Sequence, residues 1–225
     1  MIYPRVCPFC EEIEKAGICS SCRKTLKYIK GAYCYSCGRS MHALEQEYCR
    51  DCQKKNFAYD QGRSLWLHQG QVAHAIYQFK FHNKRDFGRI FAMELNREFV
   101  ATIKAWGIEE IIPIPLHATK QKSRGYNQSA VIADYLGEMW DLPVNHNKVF
   151  RICKTKPQKT LDAKGRIENL KHAFGVSKKE QVYKNILLID DIYTTGSTIH
   201  QVAKLLKIGG AKKVYFLSVS IGQGL

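Results

Sequence analysis

The chain has 225 residues, enough for one α/β domain and a small module, and its formal charge of +15 points to a polyanionic partner. No apolar run reaches the length of a membrane span, so no membrane insertion is expected. Nine cysteines, with no secretory h-region in Met1 to Cys7, predict a cytoplasmic protein whose thiols serve metal rather than disulfides.

Residues 1–60 carry four Cys-x-x-Cys knuckles: Cys7/Cys10, Cys19/Cys22, Cys34/Cys37 and Cys49/Cys52. Each knuckle can present two sulfurs to one side of a tetrahedral zinc ion, so eight thiols complete two sites. With four sulfurs per ion no coordination position stays open, which predicts a structural role. Consecutive knuckles close the shorter loops and cost less chain entropy, but the spacing also admits an interleaved pairing. So small a module buries little core, and metal is expected to supply most of its folding energy. Eight thiolates and two dications would bring the whole chain from +15 to +11. The module itself would fall from +3 to about −1, because thiols deprotonate to bind zinc. Residues 61–225 hold +12, so the electrostatic footprint is assigned to this larger domain.

Ser64 to His68 reads as a short strand and Val72 to Phe81 as a helix. Around its end, Phe79, Lys80, Phe81, Lys84, Arg85, Phe87 and Arg89 interleave aromatic rings with cations. Such a pattern can stack bases and track the phosphates of a single strand; its competing explanation is core phenylalanines with solvated charges. Lys80, Lys84 and Arg85 are the cations named for DNA. Phe87 to Lys104 follows as a helix with Ile90, Phe91, Leu95, Phe99 and Ile103 at core spacing.

Glu109 to Pro115 is a strand leaving through a stiff turn, since Pro113 and Pro115 forbid helix. Residues 111–133 then hold Lys120, Lys122 and Arg124 and no acid. A basic loop at the carboxyl end of a strand suits an anionic ligand. A helix is expected from about Ser129 to Trp140. Residues 148–174 are again basic, with Lys154, Lys156 and Lys159 as further candidates for DNA contact.

Ile186 to Ile189 is an apolar run without alternation, the pattern of a strand buried on both faces of a parallel sheet. Asp190 and Asp191 follow, then Thr194, Thr195, Gly196, Ser197 and Thr198, then a helix carrying Ile199, Val202, Ala203, Leu205 and Leu206 on one face. Two adjacent carboxylates at a strand end are costly unless a ligand uses them. The helix start offers unpaired N–H groups and a positive dipole end to a phosphate, Gly196 lets the backbone come close, and the hydroxyls add donors. This is not a Walker A loop, because no Gly-x-x-x-x-Gly-Lys occurs. Ala211 to Ser220 reads as an apolar final strand.

The Asp190-to-Thr198 stretch resembles the signature of type I phosphoribosyltransferases for 5-phosphoribosyl-1-pyrophosphate (PRPP). The resemblance implies an α/β fold, a parallel sheet flanked by helices, over residues 61–225. It implies that Asp190 and Asp191 hold the ribose hydroxyls, that residues 194–198 wrap the 5-phosphate, and that Mg²⁺ accompanies PRPP. Many members have Gly-Gly where this chain has Gly196 and Ser197. Pro113 to His117 followed by Arg124–Gly125–Tyr126–Asn127–Gln128, behind cysteine knuckles, resembles the ComF family, which joins a double zinc ribbon to such a domain. That resemblance makes Pro115, Lys120, Lys122 and Arg124 the pyrophosphate loop and Arg151, Gln158, Arg166 and Asn169 a flap over the ligand. Members often carry arginine where this chain has Lys120 and Lys122; lysine lacks the bidentate fork, so the catalytic assignment is limited to Asp190, Asp191 and Arg124. The family implies a late competence protein of natural transformation that binds PRPP and single-stranded DNA beside a DNA-translocating helicase. The alternative is a metabolic phosphoribosyltransferase acting on a base or amine; the sequence shows no acceptor pocket.

Overall fold

Ile186 to Ile189 are wholly excluded from solvent and form the middle of β5 (Asn185–Tyr193), the strand around which the other elements are laid. The computed structural model describes residues 5–41, 46–152, 173–177 and 184–223. Among these, four parallel strands form the main sheet in the order β1 (Gln61–Leu67), β6 (Lys213–Ile221), β5, β2 (Glu110–Pro113). The fold class expected from the sequence, a parallel sheet flanked by helices behind a small cysteine module, is the one observed.

Strand geometry sends alternate β5 side chains to opposite faces. Leu187 and Ile189 join a core with α3 (Gly70–Phe81), α4 (Phe87–Trp106) and α6 (Gln128–Trp140). Ile186 and Leu188 join the opposite core with α7 (Ser197–Ile208). Residues 61–67, 70–81, 87–106 and 128–140 thus take the forms their periodicity predicts. Two differences concern the site. β5 does not stop at Ile189 but runs through both acids to Tyr193, because β6 keeps pairing with it as far as Tyr193 opposite Ile221. The segment after Pro115 is not a plain loop: α5 (Ala118–Arg124) forms there. His117 Nδ1 accepts the Thr119 N–H at 3.2 Å to start it, and Gly125 at φ 80° ends it. None of its residues is buried, so no apolar stripe could announce it. β3 (Val149–Arg151) and β4 (Phe174–Val176) pair antiparallel as a separate two-stranded piece.

The cysteine module, with the short helices α1 (Ser20–Thr25) and α2 (Arg50–Lys54), straddles the outer edge of β1. Tyr28 bridges Trp66 antiparallel, Ile29 N–H donates to Leu65 C=O at 3.0 Å, and Gly62 N–H donates to Ser36 C=O at 2.8 Å. This covers an edge that would otherwise offer unpaired backbone groups to other chains. Cys7, Phe9, Ile18, Cys19 and Cys22 enter the core on one face of the sheet, while Cys34 and Cys37 enter the core on the other. Glu94, 5% exposed on α4, fastens the first half by ion pairs to Arg23 at 2.8 Å and Arg97 at 2.6 Å and by accepting from Tyr28 Oη at 2.7 Å. No helix among the described residues is long and apolar enough to cross a membrane.

Candidate metal centres and ligand site

The knuckles pair consecutively. The sulfurs of Cys7, Cys10, Cys19 and Cys22 lie within 4.8 Å of one another, as do those of Cys34, Cys37, Cys49 and Cys52. Cys10 and Cys19 sulfurs are 3.7 Å apart and those of Cys37 and Cys49 3.8 Å. A tetrahedron with Zn–S bonds of about 2.3 Å has edges of about 3.8 Å, so the donor sets fit zinc without rearrangement. Local hydrogen bonds hold the turns: Cys22 N–H donates to Cys19 Sγ at 3.4 Å, and Cys34 N–H to Arg39 C=O at 2.8 Å. The sulfurs also crowd one another; Cys34 drives the neighbouring Cys37 thiol up, as in a donor set arranged to share one cation. Seven of the eight, all but Cys10, sit in or against the hydrophobic cores, which makes both centres structural.

The candidate ligand site lies at the carboxyl end of β5, where Asp190 meets the start of α6 and Asp191 the end of α3, two helices of the same core. Asp190 Oδ1 accepts from Asp191 N–H at 2.9 Å and from Ser129 Oγ, at the start of α6, at 3.3 Å. Burial, and then the charge of Asp191, push the Asp190 carboxyl up to about 7. Asp191, 8% exposed, pairs with Lys80 Nζ at 2.8 Å. Lys80 comes from the last turn of α3, more than a hundred residues earlier in the chain. The local pattern grouped it with DNA contacts; the structure brings it to the acid pair.

The stretch 124–128 explains that placement residue by residue. Gly125 closes α5, and Tyr126 Oη donates to Phe79 C=O at the end of α3. Asn127 caps α6 through Ser129 N–H at 3.1 Å and donates to Ile114 C=O at 3.0 Å, tying the β2 exit to the helix. Gln128 accepts from Arg124 at 3.0 Å and donates to the same Phe79 carbonyl at 3.5 Å. One short motif therefore fixes α3, and Lys80 with it, against β5.

Cations gather above the acids. Lys120 is held below the ordinary lysine range by partial burial and then by the like charges of Arg151, Arg124 and Lys80. Arg151, on β3, is lowered by burial, with Asp190 opposing the shift. Two carboxylates beneath several crowded cations can receive a ligand that has hydroxyls at one end and phosphates at the other. Pro115 is half-buried where the β2 exit meets α5, and Lys122 stands exposed on α5. Beyond β5, Gly196 caps α7 at φ 74°, a left-handed geometry glycine adopts without strain, and Thr195 Oγ1 lies 2.9 Å from Ser197 Oγ. Thr194 is exposed and Thr198 half-buried.

The remaining candidates separate. Lys84 pairs with Glu11 at 2.8 Å, and Arg85 stands 5.8 Å over the Tyr126 ring. Phe79 and Phe87 are core at 0% and 2% exposure, whereas Phe81 is 55% exposed with the Arg124 guanidinium 4.8 Å from its ring. Lys154, Lys156, Gln158, Lys159, Arg166 and Asn169 lie outside the described residues. Sequence reasoning missed Ser129 and Arg39 altogether; neither stands in a local pattern that marks it.

A family model described as "Double zinc ribbon domain" matches residues 1–53. Competence protein F of Haemophilus influenzae is 38% identical over 145 residues, covering 62% of this chain and 63% of that protein. Competence protein ComFC of Bacillus subtilis is 31% identical over 155 residues, covering 68% of this chain and 61% of that protein. The chain belongs to the ComFC-like family. The DNA utilization protein YhgH of Escherichia coli K12 is a further relative of this ComFC-like chain, 30% identical over 142 residues and matched over 62% of each. The alignments thus span about three fifths of these relatives' lengths. Solved phosphoribosyltransferases align loosely. A purine enzyme from Pyrococcus horikoshii shares 14% identity at a TM-score of 0.37 over 58% of this chain and 73% of its own. An adenine phosphoribosyltransferase shares 11% at 0.38 over 62% and 74%.

Proposed function

We propose that this ComFC-like chain is a late competence protein that binds PRPP with Mg²⁺ at the end of β5 and handles single-stranded DNA during natural transformation. The observation that carries the ligand reading is the acid pair itself: Asp190 and Asp191 adjoin at the carboxyl end of a central parallel strand, faced by Lys80 and neighboured by Lys120, Arg124 and Arg151. In this reading the carboxylates accept the ribose hydroxyls, and Arg124, Lys120 and Lys80 meet the pyrophosphate. The loop 194–198 takes the 5-phosphate at the start of α7. Mg²⁺ would neutralise charge on the pyrophosphate oxygens. The competence role follows the printed names of the relatives, and the intracellular partners of such a role are a DNA-translocating helicase and the incoming strand. Support for DNA comes from the net charge of +15 and from Phe81, an exposed ring beside Arg124 at the mouth of the site.

Titration calorimetry with PRPP and Mg²⁺ tests the ligand. Charge-assisted hydrogen bonds are worth about 1.5–3 kcal/mol, so Asp190→Asn or Asp191→Asn should weaken binding about ten- to a hundredfold. Equal affinity in both variants would remove the assignment. Following pyrophosphate with oligonucleotides or free bases added decides between a binding role and transfer to an acceptor.

A further inference from the structure

Arg39 belongs to the second cysteine centre, two residues beyond Cys37, and is 7% exposed. Its backbone closes the Cys34 knuckle, with Cys34 N–H on its carbonyl at 2.8 Å. Its side chain leaves the knuckle in two directions. Nη1 lies 2.7 Å from Asp51 Oδ2, between Cys49 and Cys52 on the opposing knuckle, and Nη2 donates to Thr194 C=O at 3.4 Å. Four sulfurs on one cation would thus lock together the two knuckles that hold this guanidinium. Beneath the same loop, Tyr193 Oη lies 2.6 Å from Tyr59 Oη, and its ring stacks on Phe216 at 4.8 Å. The loop rests directly on that ring: a Cβ on Gly196 would stand 2.2 Å from Tyr193 Oη and 3.0 Å from Phe57.

The Thr194–Thr195 peptide is planar and trans, so its N–H points away from the carbonyl that Arg39 holds. We propose that Arg39 is a positioning residue: it draws the Thr194 carbonyl toward the second cysteine centre and so turns the following N–H outward for a phosphomonoester. Affinity for a phosphorylated ribose then depends on the metal-held geometry of Cys34, Cys37, Cys49 and Cys52, a centre outside the loop proposed to hold the phosphate. This rests on the reading that residues 194–198 receive a phosphate, and it gives a physical reason for joining this ribbon to this domain.

The test uses the full zinc-loaded chain carrying Arg39→Met, with zinc content, amide hydrogen exchange over residues 190–199 and ribose 5-phosphate titration measured together. Zinc should stay at the wild-type ratio, exchange at residues 194–198 should quicken about tenfold while Ile186 to Ile189 stay protected, and ribose 5-phosphate should bind about tenfold more weakly. Asp190→Asn should weaken binding without changing that exchange, which separates losing a ligand contact from losing loop geometry. If Arg39→Met sheds zinc or fails to fold, Asp51→Asn removes the anchor of the guanidinium and is judged by the same measurements. Unchanged exchange at residues 194–198 with zinc retained overturns the proposal. Quickened exchange in a chain whose wild type ignores ribose 5-phosphate would uphold Arg39 as positioning residue and defeat the phosphate reading.

Discussion

Asp190→Asn should make the protein more stable while weakening the proposed ligand site. Burial, then the adjoining Asp191 charge, raise the Asp190 carboxyl from 3.8 to about 7, against the opposing pull of Lys80, the Asp191 N–H and Ser129. Between those two values the folded state holds a proton that the unfolded chain has released. Stability therefore falls as pH rises through this window, and the full cost is present above about pH 7. At about 1.36 kcal/mol per pK unit, the ionised carboxylate costs about 4 kcal/mol at pH 8 and about 2 kcal/mol at pH 5.5. Asparagine keeps an oxygen for the Asp191 N–H at 2.9 Å and for Ser129 at 3.3 Å but never ionises. For a chain of this size each kcal/mol moves the melting temperature by about 2–4 °C, so a gain on the order of 10 °C is expected at pH 8 and about half of that at pH 5.5. Differential scanning fluorimetry of both proteins, zinc-loaded, at both pH values measures it. A gain equal at the two pH values, or a loss at pH 8, would refute the electrostatic account. Stability gained by removing a buried charge from a site is the expected exchange when that charge exists for a ligand.

Elemental analysis of protein purified without chelator should find two zinc ions per chain; none would defeat both centres, and one would mean that a cluster is not filled. Lys80→Met should have opposite effects on two halves of the ligand, strengthening ribose 5-phosphate by freeing Asp191 from its 2.8 Å pair and weakening pyrophosphate by removing a cation, each by about tenfold; calorimetry with the two compounds separately shows it, and changes of the same sign would contradict the placement. Phe81→Ala should cost about 1–3 kcal/mol of single-strand affinity by fluorescence anisotropy, and changing Lys154, Lys156 and Lys159 together to Ala should flatten its salt dependence. Full affinity and an unchanged salt slope in both variants would move the footprint elsewhere on the chain.

What the sequence determined by itself is local. Ile186 to Ile189 read as a strand buried on both faces, the two acids and the hydroxyl-rich turn stand together in one short stretch, and the knuckle spacing pointed to zinc. Chelation and periodicity are both encoded within a few residues, so the helices over 70–81, 87–106 and 128–140 were legible too. α5 was not, because it buries no face and starts on a histidine cap. Lys80 was legible as a cation but not as a partner of Asp191, since that pairing requires α3 to be tied by Tyr126 and Gln128 to the strand's end. The two cysteine centres were legible as metal sites, but their positions on opposite faces of β1 were not. Nor was the contact from Arg39 to Thr194, 155 residues apart. These depend on which strand lies at the edge of the sheet and on the side to which each β5 residue points. Strand order and side-chain direction are properties of the assembled sheet, and no short window of sequence contains them.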